Sequence, residues 1–276
     1  METIRDQFTR LVEGPEDRID IVEAALLIAR TAFPDLNAAQ YTGLLDQWTD
    51  RLSRRVDPSA SAGDILNAMN HLLFDEEGLS GDVHNYFDPQ NSFLNRVLDR
   101  KLGIPITLSI VYSEVGRRAG FPVYGIALPG HFITGLFHTS GTLYIDPFNQ
   151  GAILAESECR QMVEARYGGK AALDIGWNHP ADKKMMLIRL LRNLKAIYRH
   201  LGQDLQAFEM IQWILAIDPH TPTEVKERGL LYEAMGNHTF ALRDLEHYLE
   251  LAPEPADLEM VTQKINLLRQ SQHRMH

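Results

Sequence analysis

The sequence predicts an α+β protein: a helical N-terminal part, a core carrying a small antiparallel sheet, and a helical C-terminal array. Three observations predict it. Apolar residues recur at helical spacing through the first third of the chain. Between Val123 and Asp146 the texture changes to short segments rich in β-branched and aromatic residues. In the last third, five residues recur at a single offset of 34.

The helical part is read from its stripes. Ile19, Val22, Leu26 and Ala29 form the first, ended by Pro34-Asp35. Tyr41, Leu44, Leu45, Trp48 and Leu52 form a second, and Ile65, Met69, Leu72 and Leu73 a third. Gly78 to Asp88 reads as a loop. Asn91-Ser92 offers a cap for a helix through Phe93, Leu94, Val97 and Leu98. Gly103-Ile104-Pro105 breaks that helix, and Thr107 can cap or open the next, which runs to about Ala119. Val123 to Leu128, His131 to Phe137 and Leu143 to Asp146 then read as antiparallel strands bounded by Pro-Gly and Ser-Gly. Helices return from Leu154.

The repeat pairs Tyr198, Gly202, Ala207, Leu215 and Pro219 with Tyr232, Gly236, Ala241, Leu249 and Pro253. The period and these residues resemble the tetratricopeptide repeat, with units at roughly 188–221 and 222–255. The small residues let two helices cross closely. Lys195 departs from the pattern, standing opposite Gly229 where a small residue is usual. Leu258, Val261, Ile265 and Leu268 form a closing helix. Two repeats are fewer than the about three needed for stability, so the array is expected to pack onto the preceding domain. The expected division is residues 1–184 and 185–276.

Composition bounds the function. Apolar residues make up 45% and charged residues 23%, as in a soluble globular chain. With 27 Lys and Arg against 37 Asp and Glu, the net charge of -10 argues against a nucleic-acid binder and an anionic membrane surface. Ala119 to Ile145 is the longest uncharged stretch, yet its five glycines and two prolines exclude a membrane helix. The start has no secretory pattern. The lone Cys159 can form neither an internal disulfide nor a multi-cysteine zinc site, and fits a reducing cytoplasm. No metal or nucleotide motif occurs, so no cofactor is expected.

The stretch from Tyr86 to Gly151 carries the chemistry. It holds Tyr86-Phe87-Asp88-Pro89-Gln90-Asn91-Ser92, Gly103-Ile104-Pro105-Ile106-Thr107-Leu108-Ser109, Pro129-Gly130-His131-Phe132 and Asp146-Pro147-Phe148-Asn149. With the repeats behind it, this resembles a bacterial family with a transglutaminase-like (papain-like) domain followed by tetratricopeptide repeats. That resemblance implies a nucleophile at the start of a buried helix, a histidine on one strand and an acid on the next. His131 and Asp146 match the last two. An even-numbered loop around His138 to Gly141 would set the residue facing Asp146 two or four positions from His131. A diagonal pair on a sheet, about 7 Å apart, is within side-chain reach. The carboxylate would then orient the imidazole.

Active members of the superfamily use a cysteine, which should fall at about Pro105 to Thr107. None is there. Thr107 is the best-placed reactive side chain, with Ser109 next, and a hydroxyl depends wholly on an adjacent base. Against each functional reading stands a plainer one: Thr107, Asn91 and Ser92 as caps, and His131–Asp146 as a structural pair. Two functions follow. One is a non-catalytic interaction or regulatory protein that binds a protein or peptide partner through its repeats. The other is an amide hydrolase or acyl transferase with Thr107 or Ser109 as nucleophile, His131 as base, Asp146 as orienter and Asn91 nearby. Cys159, among acidic neighbours, reads as incidental.

Overall fold

The computed structural model describes residues 2–167, 178–252 and 256–274. It divides into two compact units, Met1–Leu190 and Leu191–His276.

The first unit opens with α1 (Ile4–Glu13), which lay outside the expectation although Ile4, Phe8, Leu11 and Val12 recur at helical spacing. At its start Thr3 and Asp6 form a reciprocal capping box, with Thr3 Oγ1 accepting from Asp6 N at 3.1 Å and Asp6 Oδ2 accepting from Thr3 N at 3.0 Å. α2 (Ile21–Ala29) is capped by Asp20 and is buried at every position but Glu23. α3 (Ala38–Ser53) and α4 (Ala62–Asn70) follow, the latter running into a wider π turn at His71–Glu76. α5 spans Leu94–Arg100, and α6 spans Pro105–Arg118.

The Asn91-Ser92 cap is placed differently, whereas Thr107 does cap α6, its hydroxyl accepting from the Ile104 N–H at 3.0 Å. Phe93 holds the N-cap position of α5, while Asn91 closes a short 3₁₀ turn, Pro89–Asn91, that Asp88 caps. α6 opens two residues before Thr107, with Pro105 in its first turn, where its missing N–H removes nothing. Ahead of it, Lys101 ends α5 in the left-handed conformation at φ 61°.

α6 is the centre of this unit. Pro105 to Gly116 are all buried, the pattern of a helix enclosed on every side. One close approach depends on glycine: a Cβ at Gly116 would lie 2.8 Å from Met69 Cε and 3.0 Å from Val123 Cγ2. The sheet against α6 is β3 (Val123–Leu128), β4 (His131–His138), β5 (Gly141–Asp146) and β6 (Ala152–Leu154), antiparallel and in that order. The first three match the expected strands. β6 lay outside the expectation, as did the two-residue parallel pair β1 (Ser80–Gly81) and β2 (Leu102–Gly103). α7 (Glu156–Tyr167) buries Cys159 and Val163 against Ile126, Leu128 and Ile133.

The second unit starts within α8 (Lys183–His200) and continues through α9 (Asp204–Ile217), α10 (Pro222–Ala234), α11 (His238–Leu251) and α12 (Leu258–Arg274). The repeat residues sit in equivalent places. Gly202 and Gly236 follow the first helix of each pair at φ 69° and 75°, where a left-handed residue ends a helix without Cβ strain. Ala207 and Ala241 are fully buried. Pro253, the last repeat match, lies outside the described residues.

Gly229 brings α10 onto α11: a Cβ there would meet Asp244 Cβ and Leu245 Cγ, both at 3.1 Å. Its counterpart Lys195 is accommodated by charge. The Lys195 ammonium bonds Glu224 and Glu227, each at 2.7 Å, and Arg192 adds a bond to Glu224 at 2.9 Å. Among the described residues, no helix is long and apolar enough to cross a membrane.

Candidate functional site

Turn chemistry brings His131 and Asp146 together. Gly130, at φ 73°, closes the tight turn that starts β4, so His131 is the first residue of that strand. A two-residue connection, Thr139–Ser140, joins β4 to β5, with His138 facing Gly141 and Thr134 facing Ile145. One further step along this register sets Asp146 against Ile133, two positions from His131. The side chains meet: His131 Nε2 lies 2.7 Å from Asp146 Oδ2. The imidazole is 20% exposed and the carboxylate 3%.

Asp146 is held from several sides. It caps the 3₁₀ turn Pro147–Asn149, its Oδ1 accepting from the Phe148 and Asn149 N–H groups at 3.0 and 3.3 Å. Asn149 Nδ2 donates to Oδ2 at 2.8 Å. Burial alone would raise the Asp146 pKa. The hydrogen bond and charge of His131, with the Asn149 bonds, outweigh it and hold the carboxyl below its ordinary value. An ionised carboxylate can only accept, so the proton shared with Asp146 sits on Nε2. Phe148 meets the imidazole edge-on at 6.3 Å, Tyr86 meets Phe148 at 6.1 Å, and exposed Phe87 meets Tyr86 at 5.3 Å. Gly81 of β1 presses on this turn; a Cβ there would come within 2.5 Å of the Phe148 carbonyl oxygen.

The hydroxyls are engaged elsewhere. Thr107 is fully buried. Its Oγ1 donates to the Asn91 carbonyl at 2.9 Å and accepts from the Ile104 N–H at 3.0 Å. Ser109, also fully buried, donates to the Phe132 carbonyl at 3.3 Å. Neither bonds His131. Asn91 belongs to a separate cluster: its amide donates to Asp82 Oδ2 at 3.1 Å and the Asn85 carbonyl at 2.8 Å, and its Oδ1 accepts from Arg100 at 3.2 Å. Arg100 lies 3.5 Å from Asp82 and 3.4 Å from Asp88. Asn91 thus ties the 82–91 loop to α5. Cys159 is fully buried, and burial together with Glu158 pushes its thiol up to about 11. Such a thiol is a poor nucleophile at neutral pH.

Sequence reasoning passed over Asp82 and Arg100, and quoted Tyr86, Phe148 and Asn149 within its motifs without giving them a role. Asn149 had a signal, three residues after Asp146 across a proline turn. Among the described residues, no three His, Cys, Asp or Glu side chains gather as a metal site. In the second unit a groove of about 630 Å³ is lined by Leu215, Tyr232, Phe240, Arg243 and His247. Tyr232 stacks on Phe240 at 5.3 Å and meets Phe208 at 4.9 Å.

A sequence model of the transglutaminase-like superfamily matches residues 39–192, and a tetratricopeptide-repeat model matches 194–266. The chain belongs to the transglutaminase-like superfamily. A UPF0162 protein of Xylella fastidiosa (strain Temecula1) is 36% identical over 257 residues, 92% of each chain. A UPF0162 protein of Vibrio cholerae is 28% identical over 258 residues, 91% of this chain and 93% of that one. F-box only protein 21 of Homo sapiens is 27% identical over 161 residues, 54% of this chain and 24% of the human protein. No solved structure matches. This transglutaminase-like protein thus joins a superfamily domain to tetratricopeptide repeats along one chain.

Proposed function

We propose that this transglutaminase-like protein is a non-catalytic interaction or regulatory protein. In this reading residues 1–184 form a domain whose site no longer turns over substrate, and residues 185–276 bind a protein or peptide partner in a reducing cytoplasm. One observation carries it. Thr107, nearest to where the superfamily nucleophile is expected, is fully buried, with its hydroxyl bonded to the Asn91 carbonyl and the Ile104 N–H. A hydroxyl acts as a nucleophile only with a base beside it, and the bonds of Thr107 Oγ1 go to Asn91 and Ile104 and none to His131. The groove in the second unit, where Tyr232 and Phe240 stand among charged side chains such as Arg228, Arg243, Glu246 and Glu250, supports a partner role, because aromatic and arginine side chains dominate binding energy at interfaces.

The test is quantitative cross-linking of the full chain in its host cells, comparing His131→Ala with Tyr232→Ala/Phe240→Ala. Partners should persist with the first and disappear with the second. Loss with His131→Ala alone, in folded protein, would refute the assignment.

The His131–Asp146 pair favours a second reading. An imidazole held on one nitrogen by an ionised carboxylate is the arrangement of a general base. An amide hydrolase or acyl transferase would then need the Ser109 hydroxyl, whose 3.3 Å bond to the Phe132 carbonyl is long.

A further inference from the structure

A separate cavity of about 610 Å³ opens in the first unit and shares no residue with the His131 site. Organic ligand pockets span roughly 300–1,000 Å³. Ile21, Val123 and Met186, all buried, give it an apolar floor, and the 39% exposed ring of Tyr124 forms part of its wall.

The charges around it select a ligand class. Glu114 is only 4% exposed and is matched within the fold. Its carboxylate accepts from Arg117 Nε at 3.1 Å and Arg117 Nη2 at 3.2 Å, with Arg118 Nε at 3.5 Å. Arg118 also bonds Asp46 at 2.7 Å, so these two arginines and two carboxylates cancel. What remains is Glu16, Asp17 and Asp182 against Lys183, whose ammonium donates to the Ile19 carbonyl at 2.6 Å. The excess is acidic, and the chain's net charge of -10 adds a field of the same sign. An organic anion would meet repulsion here. A protonated amine gains from the carboxylates and from the face of an exposed aromatic ring.

We propose that this cavity is a binding site for a small organic amine, with its apolar body on Ile21, Val123 and Met186 and its ammonium at the acidic rim beside Tyr124. The experiment is titration calorimetry on the intact chain with two probes that share a phenethyl body and carry opposite charge, phenethylamine and phenylpropionate. The amine should bind saturably at one site and the acid should not. Asp17→Asn/Asp182→Asn removes two charges but keeps hydrogen-bond acceptors, and should weaken the amine about tenfold. Tyr124→Ala should weaken it further, with circular dichroism showing each variant folded. Absence of saturable amine binding, equal binding of phenylpropionate, or unchanged affinity in the double variant would each overturn the proposal.

Discussion

His131 Nε2 and Asp146 Oδ2 lie 2.7 Å apart, on one face of the sheet at the ends of adjacent strands. Asp146 stays ionised there because His131 and Asn149 outweigh its burial. With its folded pKa lowered, the carboxylate contributes stability that is present above its unfolded value, about 4, and is lost as pH falls through the folded value. Asp146→Asn should therefore cost about 1–3 kcal/mol at neutral pH. It should also flatten the decline of Tm on acidification below about pH 4. Thermal melts of both proteins from neutral pH into acid measure this.

Thr107 is a structural hydroxyl in this account. Thr107→Val removes a helix-start bond and leaves the buried Asn91 carbonyl unsatisfied, so about 2 kcal/mol should be lost. Thr107→Ser should retain most of the stability. Thr107→Cys should gain no acyl-transfer activity, because the side chain at this position points to Asn91 and not to His131. Urea unfolding and an amidase assay separate these outcomes.

Lys195 replaces the usual small residue at a helix crossing and is 11% exposed, beside Glu224 at 1%. Lys195→Met should destabilise by about 2–3 kcal/mol, since Arg192 still partners the buried carboxylate. Lys195→Met with Glu224→Gln should recover part of that loss. A double-mutant cycle by chemical unfolding measures the coupling.

Cys159 should resist labelling. Its thiol is fully buried and pushed up to about 11, by burial first and then by Glu158. A thiol-directed disulfide reagent at pH 7 should react slowly with native protein and at once with unfolded protein. Fast labelling of the native chain would contradict the burial.

The sequence made some of this legible and concealed the rest for physical reasons. Gly202, Ala207 and their partners at an offset of 34 could be read because repeat packing recurs locally along the chain. His131 and Asp146 could be paired because strand register and a short turn determine which side chains meet. The long-range partners of Asn91 and Thr107 were hidden, although the capping role of Thr107 was legible. Asn91 answers to Asp82 and Arg100, each nine residues away, and Thr107 to a carbonyl sixteen residues away. No local propensity encodes such partners. β6 was missed because its three residues are mostly exposed and show no burial alternation. α1 was legible but not read: Ile4, Phe8, Leu11 and Val12 recur at helical spacing behind the Thr3–Asp6 box.

The central claim is that this transglutaminase-like protein carries no turnover at the His131 site. The direct measurement is mass-spectrometric product analysis of a peptide, amide and ester panel, incubated with the full chain and with His131→Ala. The account predicts identical product levels for both, with no acyl adduct on Thr107 or Ser109. Product formed by the natural chain and abolished in a folded His131→Ala variant would contradict it.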